Sequence, residues 1–110
     1  DGYDEISLTG GFKLITRNGE KLIYPEELGQ KTIQQSALHG GKSVEEAAKI
    51  FMTIIEGNGT DAQNSVVLTN AAIALQIVDD SKSFEETFAT ASDSLFGLKA
   101  KACLKKIVNK

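Results

Sequence analysis

Two adjacent carboxylates, Asp4 and Glu5, stand between Gly2-Tyr3 and Ile6-Ser7-Leu8-Thr9-Gly10. A hard divalent cation such as Mg²⁺ takes oxygen ligands, keeps several waters and uses one or two protein carboxylates plus substrate phosphate, so these residue types suit it. Spacing alone leaves a solvated loop as the default reading, because acidic residues lie mostly at the surface. The other chemistry-bearing residues stand singly. His39 precedes Gly40-Gly41 and has no second histidine to pair with, so a structural or solvent-exposed role is expected rather than acid, base or ligand. Cys103 cannot make an internal disulfide, which favours a reducing compartment, and its apolar helical neighbours suggest a small buried side chain rather than a nucleophile. Nothing forms a nucleophilic triad, a Walker loop, a dinucleotide fingerprint or a zinc site, and Gly40-Gly41 and Gly57-x-Gly59 are too short for phosphate loops. No catalytic residue is assigned on this basis.

The elements that must position the carboxylate pair begin with a hairpin. Residues 12–16 and 21–24 read as strands flanking Arg17-Asn18-Gly19-Glu20. Asn-Gly between strand-like runs predicts a type I′ turn with positive φ at both central residues. Pro25 then stops the second strand and opens a short helix over 26–28, ending at Gly29. Residues 30–42 read as a loop with one helical turn near Ser36-Ala37-Leu38.

Ser43-Val44-Glu45-Glu46 is a capping box opening a helix over 43–56, with Val44, Ala47, Ala48, Phe51, Ile54 and Ile55 in one stripe and Gly57 as its stop. The stretch from Thr60 to about Asp79 is apolar nearly all round, which predicts a helix buried on most sides and the core of the chain, with one face meant for the rest of a longer protein. Asn70 inside it needs a partner, a backbone carbonyl or another side chain. Ser83-Phe84-Glu85-Glu86 is a second capping box, opening a helix with Phe84, Phe88, Ala91 and Leu95 on one face. Gly97 is expected to break or kink it, and a last helix from Leu98 to about Val108 is expected to bury Leu98, Ala102 and Ile107. The fold class expected is α/β but mostly helical: a β-hairpin followed by three to four packed helices. Residues 1–29 would hold the metal motif, hairpin and short helix, and 43–110 the helical part.

Composition narrows the classes. The 110 residues fit one domain at most, and 41% apolar with 25% charged content is ordinary for a globular protein. A net charge of −3 gives no electrostatic footprint for nucleic acid. Lys99, Lys101, Lys105, Lys106 and Lys110 gather late, as expected for a solvated helix end complementing its dipole. No apolar run approaches the ~20 residues that span a membrane. Met52 is the only methionine, so Asp1 is not expected to be a translation start, and the chain reads as part of something longer.

Gly2-Tyr3-Asp4-Glu5-Ile6-Ser7-Leu8-Thr9-Gly10 resembles the Gly-x-Asp-Glu-Ile-Ser-x-x-Gly signature of the anthranilate phosphoribosyltransferase family. The likeness continues in order through Tyr24-Pro25-Glu26-Glu27-Leu28-Gly29, Gly40-Gly41, Glu46-Ala47-Ala48, Glu56-Gly57-x-Gly59 and Val67-Leu68-x-Asn70-Ala71-Ala72, covering essentially the whole chain as a C-terminal portion. The resemblance implies the C-terminal part of a class II nucleoside phosphorylase-type α/β domain, in a cytoplasmic enzyme that is usually a homodimer. That enzyme transfers phosphoribosyl from phosphoribosyl pyrophosphate to anthranilate in tryptophan biosynthesis. It further implies Asp4 and Glu5 as Mg²⁺ ligands, with Glu5 able to serve both of two ions.

The family's glycine-rich phosphate loop, its Lys-His-Gly-Asn segment and its anthranilate-contacting Asn and Arg fall N-terminal to Asp1, so substrate-binding residues are expected outside this chain, which alone is expected to be inactive. Gly11 stands where many relatives have another residue, often Pro. Two other readings stay open: a nucleoside phosphorylase or paralogous phosphoribosyltransferase, and a stand-alone helical interaction module in which Asp4 and Glu5 merely solvate the chain.

Overall fold

The computed structural model describes residues 3–109; Gly2 of the acidic motif and Lys110 of the lysine group lie outside the described residues. Strand β1 (Phe12–Thr16) pairs antiparallel with β2 (Gly19–Ile23), in a register from Phe12 opposite Ile23 to Thr16 opposite Gly19. The loop is therefore Arg17-Asn18, one residue earlier than the Asn-Gly pattern predicts. Neither loop residue takes positive φ, which falls instead on Gly19 at 119°. The cause is local: the Thr16 hydroxyl accepts from the Asn18 amide at 3.1 Å, a side-chain turn that competes with the primed geometry.

Tyr24 lies outside β2. Its amide donates to the Glu27 carboxylate at 2.7 Å, which turns the chain into a 3-10 helix, Pro25–Leu28, ended by Gly29 at φ 71°. A second 3-10 turn, Gln35–Leu38, sits where one helical turn was expected.

Four helices follow: α1 (Val44–Ile55), α2 (Asp61–Val78), α3 (Phe84–Phe96) and α4 (Lys99–Val108). Each of the first three starts at a hydroxyl cap, with Ser43, Thr60 and Ser83 accepting from the amides of Glu46, Gln63 and Glu86. The reciprocal arm is complete at Thr60, whose amide donates to Gln63 Oε1 at 2.9 Å. At α1 the return arm is displaced by one residue, since Glu46 accepts from Lys42 rather than Ser43.

The core lies between α2 and α3 and under the hairpin. Leu68, Ala91 and Leu95 form one cluster, with Ala71 and Phe88 against it. Ala72, Ile73 and Phe84 form the other, on which Ile6, Leu14 and Leu28 pack. The helical spacing of Phe84, Phe88, Ala91 and Leu95 thus faces inward as its period predicts.

Burial expectations are corrected on α2, on α4 and at Cys103. The α2 helix buries only Leu68, Thr69, Ala72 and Ile73, while Ile77 and Val78 are exposed, because the hairpin and α3 cover one side of it. The stripe on α1 is largely open: none of its residues is buried, and Val44 and Phe51 face solvent. On α4, Leu98, Ala102 and Ile107 are exposed; the half-buried positions are Ala100, Lys101 and Leu104. Cys103 is likewise exposed. Among the described residues, no helix is long and apolar enough to cross a membrane.

Candidate functional site

Asp4 and Glu5 lie on the irregular segment before β1, with both side chains exposed. Neither makes a hydrogen bond or ion pair with another described residue. The backbone immediately after them is anything but free.

Asn70, on α2, holds Ile6 from both sides. The Ile6 amide donates to Asn70 Oδ1 at 3.0 Å, and Asn70 Nδ2 donates to the Ile6 carbonyl at 2.8 Å. The second Nδ2 hydrogen goes to the Val66 carbonyl at 2.8 Å, one helical turn back on α2. The partner demanded by a polar side chain in an apolar helix is thus three backbone groups, two of them 64 residues away. Further on, Leu8 is fully buried, takes φ 62°, and accepts at its carbonyl from the Ile33 amide at 2.8 Å. A leucine in the left-handed region is strained by ~1–3 kcal/mol and persists only where its surroundings fix it. Here burial of the side chain and the Ile33 hydrogen bond do so. Around Leu8 the Ser7 and Thr9 hydroxyls lie 2.8 Å apart, with the Thr9 amide donating to Ser7 Oγ.

The oxygen donor set fits Mg²⁺: two unpaired, solvent-facing carboxylates on a backbone fixed at Ile6 and Leu8. Among the described residues, no group of three or more His, Cys, Asp or Glu side chains gathers to enclose a metal. Mg²⁺ ordinarily takes one or two protein carboxylates and completes its shell with water and substrate phosphate. His39 is exposed, and its Nδ1 accepts from the Gly41 amide at 3.1 Å within its own loop. An open cleft of about 600 Å³ between the 29–37 segment and the first turn of α2 is not lined by Asp4 or Glu5.

Sequence reasoning missed the bond to Ile6. The signal available was Asn70 itself, since a polar residue in an apolar helix announces a partner without saying which.

The family described as "Glycosyl transferase family, a/b domain" matches residues 1–100. The chain is 46% identical over 108 residues to the anthranilate phosphoribosyltransferase of Cytophaga hutchinsonii, covering 98% of this chain and 33% of that protein. It is 48% identical over 108 residues to that of Bacteroides thetaiotaomicron, covering 98% of this chain and 32% of the relative. The crystal structure of anthranilate phosphoribosyltransferase from Thermus thermophilus superposes with a TM-score of 0.84 at 26% identity, over 99% of this chain and 33% of that one. The chain thus spans about a third of the length of the relatives it matches. With the hairpin and helices of the α/β fragment matched from end to end, the chain belongs to the glycosyl transferase family, a/b domain.

Proposed function

We propose that this chain supplies the metal-binding carboxylates of an anthranilate phosphoribosyltransferase, an enzyme of tryptophan biosynthesis. The observation that carries the reading is Asp4-Glu5, two unpaired carboxylates on a loop anchored to α2, in a chain similar throughout to proteins of that name. The substrates are phosphoribosyl pyrophosphate and anthranilate. The amine nitrogen bonds to C1, the C1–O bond breaks with its electron pair leaving on pyrophosphate, and the amine loses a proton. Mg²⁺ bound at the site supplies neutralisation of the charge that grows on the pyrophosphate oxygens. Asp4 and Glu5 would hold the cation through their carboxylate oxygens, Glu5 being able to serve both of two ions. The chain's own part is to hold these carboxylates toward solvent, where a phosphate-bearing substrate can share the cation.

The same reading places the protein in the cytoplasm as a homodimer, and expects no turnover from the 110-residue chain alone.

Its test is the Mg²⁺ dependence of phosphoribosyl transfer by the complete gene product carrying Asp4→Asn or Glu5→Gln. Changing even a group that only supports a metal ligand weakens metal affinity ~10–100-fold, so half-maximal activity should need at least about tenfold more Mg²⁺ in each variant. Unchanged metal dependence in both would sink the assignment.

A further inference from the structure

We infer that Asn70 is the positioning residue of the Asp4-Glu5 carboxylates, setting their metal affinity through the backbone of Ile6. The inference rests on the metal reading proposed above and adds a residue to it, one that touches neither metal nor substrate.

The geometry supplies the argument. A primary amide has one acceptor oxygen and two N–H donors. Asn70 uses all three groups: Nδ2 to Val66 O locks the side chain to its own helix, and the remaining N–H and Oδ1 take both polar groups of Ile6. The amide of Ile6 shares one planar peptide unit with the carbonyl of Glu5. Fixing that N–H therefore fixes the plane that ends at the Glu5 Cα. Asp4 lies one residue further out, so the restraint acts first on Glu5 and through it on Asp4. The side chain of Ile6 adds a second restraint by packing on the Ala72, Ile73 and Phe84 cluster.

Exposed carboxylates without a fixed backbone would sample many geometries, and holding them for one cation would cost conformational entropy at each binding event. The Asn70 bonds remove that freedom beforehand. Replacing the amide loses part of this inventory. Aspartate keeps the acceptor for Ile6 N–H but loses both donors and sets a negative charge against two carbonyls. Alanine leaves both Ile6 groups unpaired.

Thr69 supplies the control. It neighbours Asn70 on α2 and is fully buried, and its hydroxyl has no hydrogen-bond partner among the described residues. Thr69→Val therefore perturbs the same turn of α2 without touching Ile6.

The experiment titrates Mn²⁺, a paramagnetic substitute for Mg²⁺, into the complete gene product with phosphoribosyl pyrophosphate present, and reads free metal by electron spin resonance. Removing a group that orients a metal ligand weakens binding ~10–100-fold, and that loss is expected in both Asn70→Ala and Asn70→Asp. Thr69→Val should bind as wild type. Amide hydrogen exchange at Ile6 should accelerate in Asn70→Ala and stay at the wild-type rate in Thr69→Val. Should one Asn70 variant fail to fold, the other carries the test.

Wild-type Mn²⁺ affinity in the folded Asn70 variants, alongside weakened binding in Asp4→Asn and Glu5→Gln, overturns the positioning role and leaves the metal assignment standing. Wild-type affinity in the two carboxylate variants overturns the metal assignment and the inference with it.

Discussion

Gly97 and Leu98 divide the break between α3 and α4 in an unusual way: the left-handed backbone falls on Leu98, at φ 61° and ψ 21°, while Gly97 keeps φ −80°. Helices commonly end with glycine in the left-handed position. Here glycine is required one residue earlier for a different reason. Its amide donates to the Asp93 carbonyl at 2.9 Å, and a Cβ on Gly97 would lie 2.5 Å from that same oxygen.

Two substitutions should therefore act in opposite directions. Gly97→Ala forces the last turn of α3 to open and is expected to destabilise the chain by ~1–3 kcal/mol, the range for overpacking. Leu98→Gly removes left-handed strain of ~1–2 kcal/mol per residue, offset in part by greater freedom of the unfolded chain. It should leave stability equal or higher. Urea midpoints at unchanged slope check both, and a stabilised Gly97→Ala would contradict the account.

Burial, rather than apolar character, should rank the large side chains. Leu68 is 5% exposed and central to the α2–α3 contact, so Leu68→Ala is expected to lose ~2–5 kcal/mol. Phe51 belongs to an equally regular stripe on α1 but is 52% exposed. Phe51→Ser should lose about 1 kcal/mol or less, near the range for surface positions. Thermal unfolding of the two variants side by side decides it, and equal losses would mean that the α1 face is covered in solution.

Among the caps, Thr60 should matter most. It accepts from Gln63 at 3.1 Å and is answered by Gln63 at 2.9 Å, and it starts the helix that carries Asn70. Thr60→Ala is expected to lose ~1 kcal/mol globally. Ser43→Ala removes an equivalent cap from a helix with little burial, so hydrogen exchange should show fraying confined to α1.

Acid should weaken the segment after the first 3-10 turn. The Thr32 hydroxyl, and secondarily the backbone amide of Glu26 itself, hold the Glu26 carboxyl below its ordinary value. A carboxyl whose pKa falls on folding binds fewer protons than it does in the unfolded chain. Its contribution is therefore complete above the unfolded value and disappears as pH falls through the folded one. Thr32→Val should raise the Glu26 titration toward the ordinary carboxylate range in a carbon-detected NMR titration. The stability gap between wild type and variant should close on acidification. Asp79, held down chiefly by the Ser81 hydroxyl, supplies an internal reference that Thr32→Val should leave in place.

Sequence by itself determined what depends on neighbours within a few residues. The hydroxyl caps at Ser43 and Ser83, the helix starts that follow them, the stop at Gly57 and the hairpin are local events, settled by side chains three or four positions apart. The pairing of carboxylates in Asp4-Glu5 is likewise written in the chain. Even locally there was a limit, since the Thr16 hydroxyl moved the hairpin loop to Arg17-Asn18 by offering the backbone a competing bond. Tertiary structure alone decided which apolar faces are covered. A period of 3.6 marks a face but not its partner, so Phe84 and Leu95 came to lie in the core while Val44 and Phe51 did not. It alone also decided that Asn70 closes on Ile6. A side chain can satisfy its hydrogen bonds with any backbone within reach, and only the folding of α2 against the start of the chain brings those 64 residues of separation down to 2.8 Å.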